Sequence, residues 1–274
     1  MIRQHKSYFH RGGNEPLLGS TIAEHFADVT ERFAEHEAVV SLPQQKRLSY
    51  KALSVAVDRL AKGLVATGFV KGDRIGVWST NNIEWLMLQM ATARIGAVLV
   101  NINPAYRLRE LAYALQRSEV QGIFTIPAFR SSNYVAMLVE LIPELTQSNN
   151  GELNNSEFAF LRKVVIYDPD DADHTGRPYG GFITWPQVIK AGDSIATDRL
   201  DEITASLDRD DPINIQYTSG TTGFPKAVIL THHNILNNAW FSARAMNLTE
   251  NDRLCVPVPY YHCFGMVLAN LLCL

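Results

Sequence analysis

Nine consecutive residues, Thr218-Ser219-Gly220-Thr221-Thr222-Gly223-Phe224-Pro225-Lys226, combine four hydroxyls, two glycines and one cation. Apolar segments of strand type flank them, residues 213–217 before and 227–230 after. A Gly-rich turn between two strands leaves backbone N–H groups outside any ladder, and such a concavity attracts anions. Glycines let the backbone approach a bulky polyanion, hydroxyls donate to its oxygens, and lysine offsets its charge. The chemistry implied is phosphate handling, most simply of a nucleoside triphosphate. The bland alternative is a polar surface loop, because Ser, Thr and Gly are ordinary loop residues. Two familiar phosphate motifs are excluded. A Walker A loop needs Gly-Lys-[Ser/Thr], whereas Pro225 precedes Lys226 and Ala227 follows it, and the spacing is not Gly-x-Gly-x-x-Gly.

The order of all nine residues resembles the phosphate loop of the adenylate-forming (AMP-binding) superfamily, which includes acyl-CoA synthetases, luciferases and peptide-synthetase adenylation domains. The resemblance covers almost the whole chain. Residues 259–265, Pro-Tyr-Tyr-His-Cys-Phe-Gly, are similar to the family's Pro-x-aromatic-His motif, with His262 in the histidine position. Residues 103–107, Asn-Pro-Ala-Tyr-Arg, followed by Glu110-Leu111, resemble its second recognisable segment, and 71–75, Lys-Gly-Asp-Arg-Ile, its early strand entry. Residues 16–22 and 211–216 look closest to the medium-chain fatty acyl-CoA ligase group.

The resemblance implies the N-terminal part of the acyl-CoA synthetase/luciferase-like fold. It also implies an ATP-dependent fatty acid–CoA ligase that uses ATP, Mg²⁺ and coenzyme A. Thr218, Ser219, Gly220, Thr221, Thr222, Gly223, Phe224, Pro225 and Lys226 would bind ATP; Lys226 and His262 would be the catalytic residues, with no metal ligand in this segment. His262 would stand where the acid's carboxylate meets the α-phosphate. The family's metal-binding Glu, ribose-binding Asp and C-terminal lysine belong to later motifs. One position departs from the pattern: Ala227 stands where the family usually has glycine. If that backbone needs positive φ, alanine costs on the order of 1 kcal/mol and skews the loop; if it begins an ordinary strand, the change is close to neutral.

Three segments must position these groups. Leu53, Val57, Leu60 and Leu64 have helical spacing and lead into the strand-like run 75–78; Ile83, Leu86, Met87 and Met90 lead into 97–100; Leu108, Leu111, Ala112 and Leu115 lead into 123–126. Helices alternating with short, continuously apolar strands predict an α/β fold with a mainly parallel sheet covered on both faces. Residues 146–157 read as a mobile polar surface loop, and a strand resumes over 161–167. The acidic run of Asp168, Asp170, Asp171 and Asp173 lacks EF-hand spacing and reads as a solvated loop. A further helix carries Leu236, Ala239, Trp240 and Ala243 on one face, and His232-His233 after Thr231 reads as its start, not a metal pair. The expected organisation is a lead-in over 1–48, a first α/β subdomain over 49–200, and the start of a second over 201–274.

The composition is ordinary: 274 residues, 46% hydrophobic and 19% charged, large enough for a substantial core. With 25 basic and 28 acidic side chains the net charge is −3, which gives no electrostatic case for nucleic acid. Three cysteines, Cys255, Cys263 and Cys273, are too sparse for a disulfide framework and lack zinc-site spacing. Cys263 lacks the positioned base of a nucleophilic thiol. Residues 1–6 lead into no apolar stretch, and no run reaches the 18 or so apolar residues of a membrane helix, so a cytoplasmic protein without membrane insertion is expected. Residues 266–274 form an apolar run without cap or polar tail, read here as the end of an N-terminal fragment. Their surface is expected to be exposed and covered by self-association, for instance as a homodimer. Two other readings remain: an adenylating enzyme for an aryl, amino or small acid, and a non-catalytic nucleotide-binding protein.

Overall fold

The computed structural model describes residues 15–148, 151, 153–171, 176, 178–218 and 225–274. Helix α1 (Ile22–Arg32) opens on a capping box between Thr21 and Glu24. A hairpin of β1 (Glu37–Ser41) and β2 (Lys46–Ser49) follows. Then come α2 (Tyr50–Ala66), β3 (Arg74–Trp78), α3 (Ile83–Ile95), β4 (Val98–Ile102), α4 (Leu108–Arg117) and β5 (Gly122–Thr125). This is the helix–strand alternation that the spacing predicts. A small pair, β6 (Ala128–Phe129) and β7 (Ser132–Asn133), leads into α5 (Tyr134–Leu141). After β8 (Lys163–Ile166) and β9 (Phe182–Thr184) come α6 (Trp185–Ala191), α7 (Thr197–Ala205), β10 (Pro212–Thr218), β11 (Lys226–Thr231) and α8 (His232–Ala245). A helical turn, Cys263–Gly265, and a π-helix, Met266–Leu271, follow α8.

Seven strands make one sheet in the order β11-β10-β4-β3-β5-β8-β9. All neighbours are parallel except β10 and β11, which form an antiparallel hairpin. Strands β4 and β5 are buried at every position, as strands covered on both faces must be. The strands of 201–274 extend the sheet of 49–200, because Asn214 and Ile215 of β10 pair with Leu99 and Val100 of β4. The lead-in is tied to α8: Leu18 N–H donates to Asn237 Oδ1 at 2.7 Å and Ile22 N–H to His232 Nδ1 at 3.1 Å.

Three details differ from the reading of the sequence. Helix α3 is buried around its circumference, including Glu84, Gln89 and Thr92, so the single face at 83–90 understates its burial. Asn155, within the expected mobile loop, is buried and pinned: its Nδ2 donates to Glu144 Oε2 at 2.8 Å and its Oδ1 accepts from Phe158 N–H. The apolar run 266–274 is packed, not open: Met266 is 1% and Leu272 5% exposed. Gln89 of α3 donates to Met266 O at 3.2 Å and accepts from Asn270 Nδ2 at 3.0 Å. Most of the run is thus covered by α3 and α8 within the chain, while Cys273 stays exposed.

Candidate functional site

The β10–β11 hairpin carries the proposed phosphate loop. Thr218 pairs with Lys226, the last residue of β10 with the first of β11. Ser219, Gly220, Thr221, Thr222, Gly223 and Phe224 lie outside the described residues. Thr218 and Lys226 are exposed, and among the described residues no carboxylate pairs with Lys226. A cation left uncommitted at the mouth of a turn is available to an incoming anion. The loop's exit is anchored on α4, where Tyr113 Oη donates to Pro225 O at 3.1 Å. Its entry is anchored by Tyr217, whose hydroxyl donates to Ala114 O at 3.0 Å and lies 2.6 Å from Ser118 Oγ. The rings of Tyr106 and Tyr113 each stand edge-on to Tyr217 with centroids 6.5 Å away. Burial pushes the Tyr217 phenol up, so it stays a protonated donor at neutral pH. Ala227 sits inside β11 opposite Tyr217 and is not among the residues of positive φ. It is an ordinary strand residue, and the strained alternative falls away.

His262 stands on an irregular approach, residues 255–261, held by side chains from the sheet. Asn81, three residues past β3, donates from Nδ2 to Val258 O at 2.8 Å and accepts from Tyr260 N–H at 2.7 Å. Asn101 of β4 donates to Tyr261 O at 3.0 Å. The Tyr260 ring packs on Trp85 of α3, centroids 5.4 Å apart. His262 is exposed, and its Nδ1 accepts from Phe264 N–H at 3.1 Å. The neutral ring therefore carries its proton on Nε2, which remains free to donate outward. Gly265 closes the turn against the backbone of 259–260, where an added Cβ would run into the Pro259 carbonyl. Cys263 Sγ is 3.8 Å from the same Nδ1, a nitrogen already engaged by Phe264.

Both features lie beyond the C-terminal ends of parallel strands: Thr218 ends β10, and Asn81 and Asn101 reach the His262 segment from just past β3 and from the end of β4. Ligands of open α/β sheets bind at this edge. His262 and Lys226 share no hydrogen bond; the sheet brings their segments to one side. His232 and His233 begin α8 behind a Thr231–Asn234 capping box. His232 is fully buried, with Nδ1 accepting from Ile22 N–H. Among the described residues no group of three His, Cys, Asp or Glu is arranged to hold a metal ion, and no helix is long and apolar enough to cross a membrane. Sequence reasoning missed Asn81, Tyr113 and Tyr217, and also missed Asn101 and Asn214. For Asn101 a signal existed, since it is the one polar side chain in the apolar strand β4, where a buried polar group must find partners.

The model of the AMP-binding enzyme family matches residues 26–274. The chain is 39% identical over 257 residues to the protein YngI of Bacillus subtilis, covering 94% of this chain and 46% of that one. It is 38% identical over 263 residues to the mitochondrial medium-chain acyl-CoA ligase of Danio rerio, covering 95% and 42%. A solved anthranilate CoA ligase in complex with anthranoyl-AMP shares the fold at 17% identity, with a TM-score of 0.74 over 95% of this chain and 44% of that one. The chain thus spans less than half the length of the curated relatives it matches. The family match over 26–274 agrees with the parallel sheet and with the hairpin at its C-terminal edge: the chain belongs to the AMP-binding enzyme family.

Proposed function

We propose that this chain supplies the triphosphate loop and the His262 turn of an ATP-dependent fatty acid–CoA ligase. The single observation that carries the reading is the β10–β11 hairpin, which places exposed Thr218 and Lys226 at the edge of a parallel sheet. In the first half-reaction a carboxylate oxygen attacks the α-phosphorus of ATP; the bond to the bridging oxygen breaks and pyrophosphate leaves. In the second, the thiol of coenzyme A attacks the acyl carbon and AMP leaves. The carboxylate is already a nucleophile, so the barrier is one of charge: an anion must approach a polyanion. Catalysis then rests on positioning and on preorganised charge. Lys226 would neutralise the β- and γ-phosphates together with the donors of 218–225, and the Nε2–H of His262 would orient the carboxylate at the α-phosphate. Mg²⁺ would arrive with ATP and offset part of the phosphate charge, held by the metal-binding Glu that the resemblance assigns to a later motif.

A fatty acid of medium length is the substrate favoured by the resemblance to the zebrafish ligase. An aryl, amino or small acid is the alternative substrate that the same assay must separate from it. The test is pyrophosphate release by the full-length parent with C2 to C16 acids, benzoate and amino acids. Release that peaks with medium-length aliphatic acids is expected. A peak with an aromatic or amino acid would reassign the substrate, and release independent of any acid would overturn the ligase reading.

A further inference from the structure

Two asparagines form a buried chain from the strand that enters the phosphate loop to the turn that carries His262. Asn214 sits on β10, four residues ahead of Thr218, and is 1% exposed; Asn101 on β4 is also 1% exposed. Asn214 Nδ2 uses both hydrogens, one to Leu99 O at 2.8 Å and one to Asn101 Oδ1 at 2.9 Å. Asn101 Nδ2 then donates to Tyr261 O at 3.0 Å, with Tyr260 O at 3.4 Å and Met266 Sδ at 3.5 Å on the same nitrogen. The direction is forced: turning either amide over would face oxygen against a carbonyl or nitrogen against nitrogen. A buried amide costs stability unless bonded, and apolar residues would fill these strand positions as well. What an apolar residue at position 101 could not do is hold the Tyr261 carbonyl, in a segment that pairs with no strand.

We propose that Asn101 is a positioning residue that fixes the His262 turn against the β10 strand leading into the phosphate loop, acting through the Tyr261 carbonyl. Asn214 in turn fixes the Asn101 amide. The proposal rests on the catalytic role assigned to His262 above. It places the relative geometry of the two catalytic segments in the sheet interior, independent of the loop's own conformation.

The test is a double-mutant cycle in the full-length parent, read as acid-dependent exchange of labelled pyrophosphate into ATP. Asn101→Ala should lower kcat by about tenfold or more with the KM for ATP nearly unchanged. In the His262→Ala background the same change should cost less than about twofold, while in the Lys226→Ala background it should keep its full factor. An undiminished factor in the His262→Ala background, meaning general structural damage, would overturn the proposal. Amide hydrogen exchange decides the positioning without activity: Asn101→Ala should speed exchange at Tyr261–Met266 and leave α2 unchanged. Unchanged exchange at Tyr261–Met266 would also overturn it. A wild-type parent that shows no acid-dependent exchange refutes the ligase reading instead, and the hydrogen-exchange arm still decides this one. If Asn101→Ala does not fold, Asn101→Ser, which keeps a shorter donor, is put through the same measurements.

Discussion

Acidification should loosen the hold of the first helix on α8, and His232 sets the pH at which this happens. The imidazole is fully buried at the start of α8, with Nδ1 accepting from Ile22 N–H and Nε2 without a partner. Burial pulls its pKa from 6.5 down to about 4, against smaller raising effects from Asp211, Glu24 and Asp208 and a lowering one from Lys71. In the unfolded chain the ring takes its proton near the ordinary value; in the folded chain it does not until about pH 4. The unfolded state therefore binds more protons across that window, and stability falls as pH drops through it. At 1.36 kcal/mol per unit the full loss is about 3 kcal/mol, of which about 2 kcal/mol has gone by pH 5. Urea unfolding of the 274-residue chain at pH 8 and pH 5 measures this. His232→Asn, whose amide oxygen can still accept from Ile22, should lose about 2 kcal/mol less than wild type between those conditions. Burial also lowers the pKa of His25, but that contribution is common to both proteins and cancels. Equal pH dependence in the two would refute the assignment of His232 as a buried neutral base.

The His262 turn should be intolerant of a methyl group at its base. Gly265→Ala forces a Cβ against the Pro259 carbonyl, so a loss of about 1–3 kcal/mol in thermal unfolding is expected, with slower adenylation in the parent. Ala227→Gly, by contrast, restores the usual family residue at a position with ordinary strand geometry. It should cost about 0.5–1 kcal/mol in stability and leave pyrophosphate exchange unchanged.

The elements were legible because their burial is periodic. The spacings at Leu53–Leu64, Ile83–Met90 and Leu108–Leu115 mark α2, α3 and α4, and the apolar runs after them mark β3, β4 and β5. The phosphate hairpin was legible from Ile213–Tyr217 and Ala227–Leu230 flanking a turn-rich nine-residue run. Periodicity records which side is buried, not what buries it. Asn101 and Asn214 lie 113 residues apart in the chain and only the sheet makes them neighbours. The same is true of His232, whose partner is the Ile22 amide, and of Met266, whose apolar run looked exposed until α3 and α8 were placed against it. Asn101, the one polar residue of an apolar strand, announced that partners existed, without naming them.

The central claim is that the cation at the exit of the hairpin meets the phosphates of ATP. Exchange of labelled pyrophosphate into ATP by the full-length parent, with and without Lys226→Ala, tests it most directly. Lys226 is exposed and unpaired by any described carboxylate, so its removal should leave the fold intact. The account predicts a fall of about 10²-fold or more in the acid-dependent exchange rate, the scale seen when one preorganised charge-stabilising group is removed. An exchange rate equal to wild type would contradict it.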